Sequence, residues 1–187
     1  MSVSPDLVGL CFFASELCVA LVKRAHGSNV RRADRGSLRI VWVAIASGVF
    51  AARIVPSWVH SGGFALGATG QLAALVLLVL GLALRWWAIL TLGRFFTVAV
   101  AIHGDHELVT RGPFRWLRHP SYTGVLLAFL AWGVLYANLW SIACLCAPIS
   151  AALLYRIHVE EAALSAHFGE RWRAYAARSK RLIPGVY

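Results

Sequence analysis

Five apolar runs divide this chain, and every interval between them is either a few residues long or rich in arginine. The runs are Leu7–Val22, Leu38–Val59, Phe64–Leu90, Tyr122–Tyr136 and Leu139–Ile157. A bilayer-crossing helix needs about 20 mostly apolar residues. Tyr122–Tyr136 is short for this, so a tilt is expected, or a start inside a cavity lined by protein. Composition agrees with a membrane protein: 59% of the residues are hydrophobic and 14% are charged, against about 45–50% and about 25% in soluble domains. The fold expected is all-α and polytopic, with five transmembrane helices in a single domain of 187 residues. Residues 1–90 supply three helices, and residues 91–187 carry the inner connector, a helical hairpin and a C-terminal helix.

The net charge of +10 would read as nucleic-acid binding in a soluble protein, but here position decides. Of 18 Lys and Arg, 17 fall on one side of a five-span layout, and Arg53 alone falls opposite. The positive-inside rule then puts the N-terminus outside and the C-terminus in the cytoplasm. The location expected is the bacterial inner membrane, with the bilayer as partner and no nucleic acid. Asp6, and no Lys or Arg, precedes the first run, so that run reads as a membrane helix rather than a cleaved leader. Cys11, Cys18, Cys144 and Cys146 lie in apolar runs and read as packing residues. No zinc spacing, phosphate loop or repeat is present, and no metal is expected.

The outer connections, Ser57–Gly63 and Ala137-Asn138, are too short to hold a site. Two inner segments remain, Thr91–Ser121 and His158–Tyr187. In the first, Phe95–Ile102 suits a strand or a membrane-surface stretch, and Gly104-Asp105 and Gly112-Pro113 are turn signals. His103 and His106 flank the first of these turns, facing either a cofactor or solvent. His119-Pro120-Ser121-Tyr122-Thr123-Gly124 opens the fourth helix, with Pro120 suited to its first turn. Gly124 leaves room for a ligand or a neighbouring helix. A plain helix start with an interfacial tyrosine explains the same residues.

In the second segment, Arg156 and Glu160 are four residues apart and can pair on one helix face. Glu161 points about 140° away from Arg156. Adjacent carboxylates at a membrane boundary serve either solvation or a cationic or hydroxyl-rich ligand. Leu164, Phe168, Trp172 and Tyr175 then follow helical spacing and define an amphipathic surface helix or lid, which Gly169 divides. Pro148 frees a carbonyl in the fifth run and favours a kink. Glu16 is costly in lipid and should face protein or water. Its run places it away from the inner segments, which makes a catalytic role unexpected.

The run LVTRGPFRWLRHPSYTG, a helical hairpin, and then EEAALSAHFGERWRAYAARSKRLIPGVY together resemble the isoprenylcysteine carboxyl methyltransferase family and its bacterial and archaeal relatives. Phospholipid N-methyltransferases share much of the first pattern. The resemblance covers about Leu84–Tyr187 and implies an integral membrane methyltransferase using S-adenosylmethionine. It implies that His119, Pro120, Tyr122 and Gly124 line the cofactor pocket and that Glu160 and Glu161 close it. Arg156 and Glu161 match positions linked to catalysis. The implied acceptor is a lipid or prenylated small molecule, most simply a carboxylate. His158 and Val159 depart from the acidic or polar residues frequent there in relatives, and fewer N-terminal helices than in eukaryotic members count against protein CaaX substrates. A phospholipid amine acceptor would need Glu161 or His119 as base. An NADPH-dependent lipid or sterol reductase and a small non-enzymatic membrane protein are the competing classes.

Overall fold

The computed structural model describes residues 3–24, 31–32, 36–96, 101–102 and 107–187. His103, Gly104-Asp105, His106 and Arg35 lie outside the described residues. The fold is helical: α1 (Pro5–Arg24), α2 (Ser37–Trp58), α3 (Ala68–Leu92), α4 (Pro120–Leu135), α5 (Leu139–Phe168) and α6 (Glu170–Arg178). Short 3₁₀ turns at Gly93–Phe95 and Gly112–Arg115 accompany them. Within the ambiguous Phe95–Ile102 stretch, Ala101–Ile102 (β2) pairs antiparallel with Arg31–Arg32 (β1).

Among the described residues, three helices are long and apolar enough to cross a membrane, those beginning at Ser37, Ala68 and Leu139. The outward side chains of Leu10, Phe50, Val79 and Leu90 are exposed, as bilayer-facing side chains are. α4 has 16 residues, about 24 Å of helix at 1.5 Å per residue, short of the roughly 30 Å hydrocarbon core. It lies among α1, α3 and α5 and buries Gly124, Ala128, Phe129, Ala131, Trp132 and Leu135. Its polar entrance therefore faces protein.

Small residues set the helix spacing, as packing between lipid-facing helices requires. A Cβ on Gly124 of α4 would stand 2.4 Å from the Gly81 carbonyl oxygen of α3. Between α2 and α5, a Cβ on Gly48 would stand 2.8 Å from the Cys144 carbonyl oxygen. That carbonyl lies four residues before Pro148, which has no N–H to offer it. The buried Ser141 hydroxyl donates to the Ala52 carbonyl at 2.8 Å and ties the same two helices. Phe12 of α1 meets Phe129 of α4 edge-on at 5.1 Å, at the centre of the core.

Backbone bonds close both ends of the bundle. At one end the α2–α3 and α4–α5 connections join: Phe64 N–H donates to the Ala137 carbonyl at 2.9 Å, and Leu139 N–H to the Gly62 carbonyl at 2.8 Å. The Asn138 side chain caps α5, accepting from Trp140 N–H at 2.8 Å. Asn138→Ala is expected to cost about 1 kcal/mol, read as a lowered midpoint of thermal unfolding in detergent. At the other end the C-terminal segment pairs with the approach to α4. Arg118 N–H donates to the Lys180 carbonyl at 2.7 Å, and Lys180 N–H to the Trp116 carbonyl at 3.0 Å.

α5 runs 11 residues beyond the Ile157 boundary expected from hydropathy, because the charged Glu160-Glu161 turn is helical and lies against protein. It ends at Gly169, whose φ of 55° and ψ of −121° suit glycine alone. α6 restarts at Glu170 and buries Trp172 and Tyr175.

Candidate active site

Three chain segments converge on His119. As N-cap of α4 it accepts from Tyr122 N–H at 3.0 Å and Thr123 N–H at 3.1 Å, while its own N–H donates to the Arg181 carbonyl at 3.1 Å. Pro120 follows at the first helical position, buried and fixing the turn. The buried His119 ring stacks on Tyr122, centroids 5.5 Å apart and planes 5° from parallel. Its Nε2 lies 3.3 Å from Glu161 Oε1, and its Nδ1 lies 3.7 Å from Glu160 Oε2.

The two carboxylates have different surroundings. Glu161 Oε1 accepts from Arg118 Nε at 2.8 Å, and its Oε2 accepts from Arg181 Nε at 3.0 Å and Nη2 at 2.9 Å. With His119 added, both of its oxygens are engaged by cationic or ring donors, and little accepting capacity remains for a substrate proton. Glu160 is the more open, its side chain 31% exposed against 14% for Glu161. It accepts from the Tyr122 hydroxyl at 2.8 Å.

That hydroxyl also receives Arg156 Nε at 2.8 Å, and Arg156 Nη1 donates to Ser37 Oγ at 3.0 Å. Arg156 and Glu160 are thus linked through Tyr122, on the face of α5 turned to α2 and α4. Glu161 turns to the C-terminal segment, as the helical angle requires.

Gly124 belongs to the helix contact. Its vacant side-chain position is filled by α3, since a Cβ there would also stand 2.9 Å from Arg85 N. Of the two uses open to this glycine, the structure shows the close helix approach. The physical reason is that α4, short and encircled, needs backbone proximity to pack.

The position expected for Glu16 is corrected. Glu16 is the twelfth residue of the 20 in α1, well along the helix, and it lies beside the site. Arg85 Nε donates to its Oε1 at 2.6 Å, and Arg85 Nη1 donates to Ser121 Oγ at 2.9 Å in the first turn of α4. Glu16, Arg85, Ser121, Tyr122 and Arg156 all border one cleft. Its other walls are apolar: Phe12 and Val19 from α1, Leu38, Trp42 and Ile45 from α2, and Ile149 and Leu153 from α5. Polar groups from α1, α3, α4 and α5 thus share one cleft with a largely apolar lining.

Sequence reasoning missed Arg118, Arg181 and Arg85, counting them only as topological cations. Four of the chain's eight acidic residues lie within α1 and α5, Asp6 in the first turn of α1 and Glu16, Glu160 and Glu161 further along these helices. Buried carboxylates demand cationic partners, and that demand was the available signal. The C-terminal segment is clamped further. Arg118 Nη1 donates to the Ala176 carbonyl at 2.8 Å, and Thr123 Oγ1 donates to the Leu182 carbonyl at 2.7 Å. Tyr175 donates to the Phe114 carbonyl at 2.8 Å. Burial, outweighing a hydrogen bond with Ser179, pushes its hydroxyl up to about 12, so the donor stays protonated.

Comparison with known proteins falls on this part of the chain. Residues 74–166 match the model of the isoprenylcysteine carboxyl methyltransferase (ICMT) family. Protein-S-isoprenylcysteine O-methyltransferase B of Arabidopsis thaliana is 35% identical over 114 residues, 60% of this chain and 58% of that protein. The uncharacterized protein YpbQ of Bacillus subtilis is 36% identical over 81 residues, 43% of this chain and 48% of that one. The solved structure of the eukaryotic intramembrane Ras methyltransferase ICMT superposes with a TM-score of 0.58 at 27% identity. That superposition covers 77% of this chain and 52% of the other. The matches to the plant relatives span about three fifths of the length of those proteins. Residues 74–166, which hold His119, Tyr122, Arg156 and both carboxylates, are thus the part of the chain that is similar to the isoprenylcysteine carboxyl methyltransferase family.

Proposed function

We propose that this chain is an integral membrane methyltransferase that uses S-adenosylmethionine to esterify a lipophilic carboxylate, of the isoprenylcysteine kind. The observation that carries the reading is the Ser37–Arg156–Tyr122–Glu160 network at the edge of an apolar cleft. The named relatives support the reaction class. The arginine distribution supports five membrane-embedded helices with the N-terminus outside and the site toward the cytoplasm. The whole chain then acts as one domain in the bacterial inner membrane.

The donor set fits the cofactor. Glu160 is a partly exposed carboxylate beside the stacked His119 and Tyr122 rings. Such a group accepts from an ammonium or ribose hydroxyls and lies well near a sulfonium cation, while the rings offer an apolar edge to a purine. S-adenosylmethionine supplies an electrophilic methyl group when bound. The residues of this chain supply placement, which is most of what in-line methyl transfer requires. The apolar walls seat a prenyl or acyl chain entering from the bilayer. Arg156 orients the acceptor carboxylate, which attacks in its ionised form and needs no base. Tyr122 holds the Arg156 fork and Glu160 in register.

The bonding of Glu161 favours a carboxylate acceptor over a phospholipid amine. An amine must first lose a proton, and Glu161 is engaged by Arg118, Arg181 and His119. His119 itself is 4% exposed. No observation favours the reductase or non-enzymatic readings.

Tyr122→Phe tests the network. It removes one hydroxyl that both accepts from Arg156 and donates to Glu160. Turnover is expected to fall about 10- to 100-fold, in line with two hydrogen bonds to charged groups at about 1.5–3 kcal/mol each, partly replaced by water. Steady-state kinetics with varied acceptor should show the loss mainly in kcat. Wild-type kinetics would remove the network from the mechanism.

A further inference from the structure

The cleft contains a second guanidinium that the proposed reaction does not use. Arg85 borders it from α3, its side chain 10% exposed, beside Glu16 at 17%. Glu16 takes the Nε side of the guanidinium through both carboxylate oxygens, and Ser121 takes Nη1. The pair is held from α1, which lies outside the segment that the family model matches. Trp86 Nε1, donating to Ser15 Oγ at 2.8 Å, fixes α1 against α3 beside it.

A fork-shaped guanidinium in an apolar cleft is a ready seat for a carboxylate, sulfonate or phosphate head. Left open, it would compete with Arg156 for the anionic head of any amphiphile in the cleft. We propose that Glu16 is a specificity-determining residue: it occupies Arg85 and closes this anion seat, so that an entering anionic head passes on to Arg156 and Tyr122. The inference rests on reading the cleft as the seat of an anionic lipid acceptor. Head groups held at Arg85 would be out of register with the groups around Tyr122, so Glu16 raises productive binding without touching the reacting atoms. Removing it should tighten binding and slow turnover together, a split that simple destabilisation does not produce.

The test uses the full chain in bilayers of zwitterionic phospholipid and, as probe, tetradecylsulfonate, which is anionic at all relevant pH and cannot be methylated. Equilibrium binding of the labelled probe is compared with that of tetradecanol, which has no charge. Glu16→Gln should bind the sulfonate at least about tenfold tighter than the wild type, the scale of one or two charge-assisted hydrogen bonds. Tetradecanol binding should be unchanged. The double variant Glu16→Gln, Arg85→Gln should return to wild-type sulfonate affinity. Unchanged sulfonate affinity in a folded Glu16→Gln protein overturns the proposal, as does tighter binding that persists in the double variant. If Glu16→Gln does not fold, Glu16→Asp shortens the carboxylate and loosens its hold on Arg85. A severalfold tightening there supports the proposal, and wild-type affinity overturns it. Arg156→Gln separates the underlying reading: unchanged sulfonate binding in that variant contradicts the acceptor seat at Arg156, whatever Glu16 does.

Discussion

Glu161→Gln is expected to lower methyl transfer by at least about a hundredfold while leaving the helical content of the protein intact. The carboxylate bonds Arg118 and Arg181 and lies 3.3 Å from His119 Nε2. A glutamine keeps the shape but loses the charge and one acceptor oxygen, so two guanidiniums lose their counter-ion in a half-buried place. Breaking such an arrangement costs about 3–5 kcal/mol when fully buried and less here. The loss falls on the docking of the C-terminal segment. Arg181 holds Glu161 through its side chain and His119 through its carbonyl. Residues 179–187 should therefore become sensitive to limited proteolysis, while circular dichroism shows the helices retained. Turnover near the wild-type level, with the C-terminal segment still protected, would show that Glu161 does not organise the site.

Gly124→Val is the second large effect, and it acts through packing. A Cβ at this position stands 2.4 Å from a backbone oxygen and 2.9 Å from a backbone nitrogen of α3, neither of which can swing aside. Overpacking of this kind costs about 1–3 kcal/mol or more, and a branched side chain belongs at the upper end. The expected result is a large drop in the thermal midpoint in detergent and poor accumulation in membranes, with Gly124→Ala intermediate. A lowered midpoint alone does not separate packing from ligand binding. If Gly124 instead faces the cofactor, Gly124→Ala should keep its thermal midpoint and weaken cofactor binding.

These two variants mark where sequence reasoning ends. Hydropathy located α1 to α5 to within a few residues at most ends, three of them long and apolar enough to cross a membrane among the described residues, since apolar run length and loop polarity are written directly in residue order. The hairpin at Ala137-Asn138 and the break at Gly169 were legible for the same reason, being local backbone chemistry. His119, Tyr122, Arg156 and the two glutamates could be named, and the structure brings them together. Their individual partners were not legible. Which of Arg118, Arg156 and Arg181 meets which carboxylate depends on how α4, α5 and the C-terminal segment dock, over separations of 20 to 43 residues. The Glu16–Arg85 pair spans 69 residues, and five helices border the cleft beside it. No periodicity in α1 could point to it. Gly124 shows the converse: a motif position can carry a helix contact that residue order does not reveal.

One transfer tests the proposed activity most directly. The purified chain, in bilayers, is given S-adenosylmethionine labelled in its methyl group together with N-acetyl-S-farnesylcysteine, a small prenylated carboxylate. The predicted product is a labelled methyl ester, recognised because mild alkali releases the label as methanol. Tyr122→Phe and Glu161→Gln should lower its formation to the extents given above. Cofactor binding without any base-labile product, from this acceptor or from a lipid extract, would contradict the account, as would label recovered only in alkali-stable N-methyl groups.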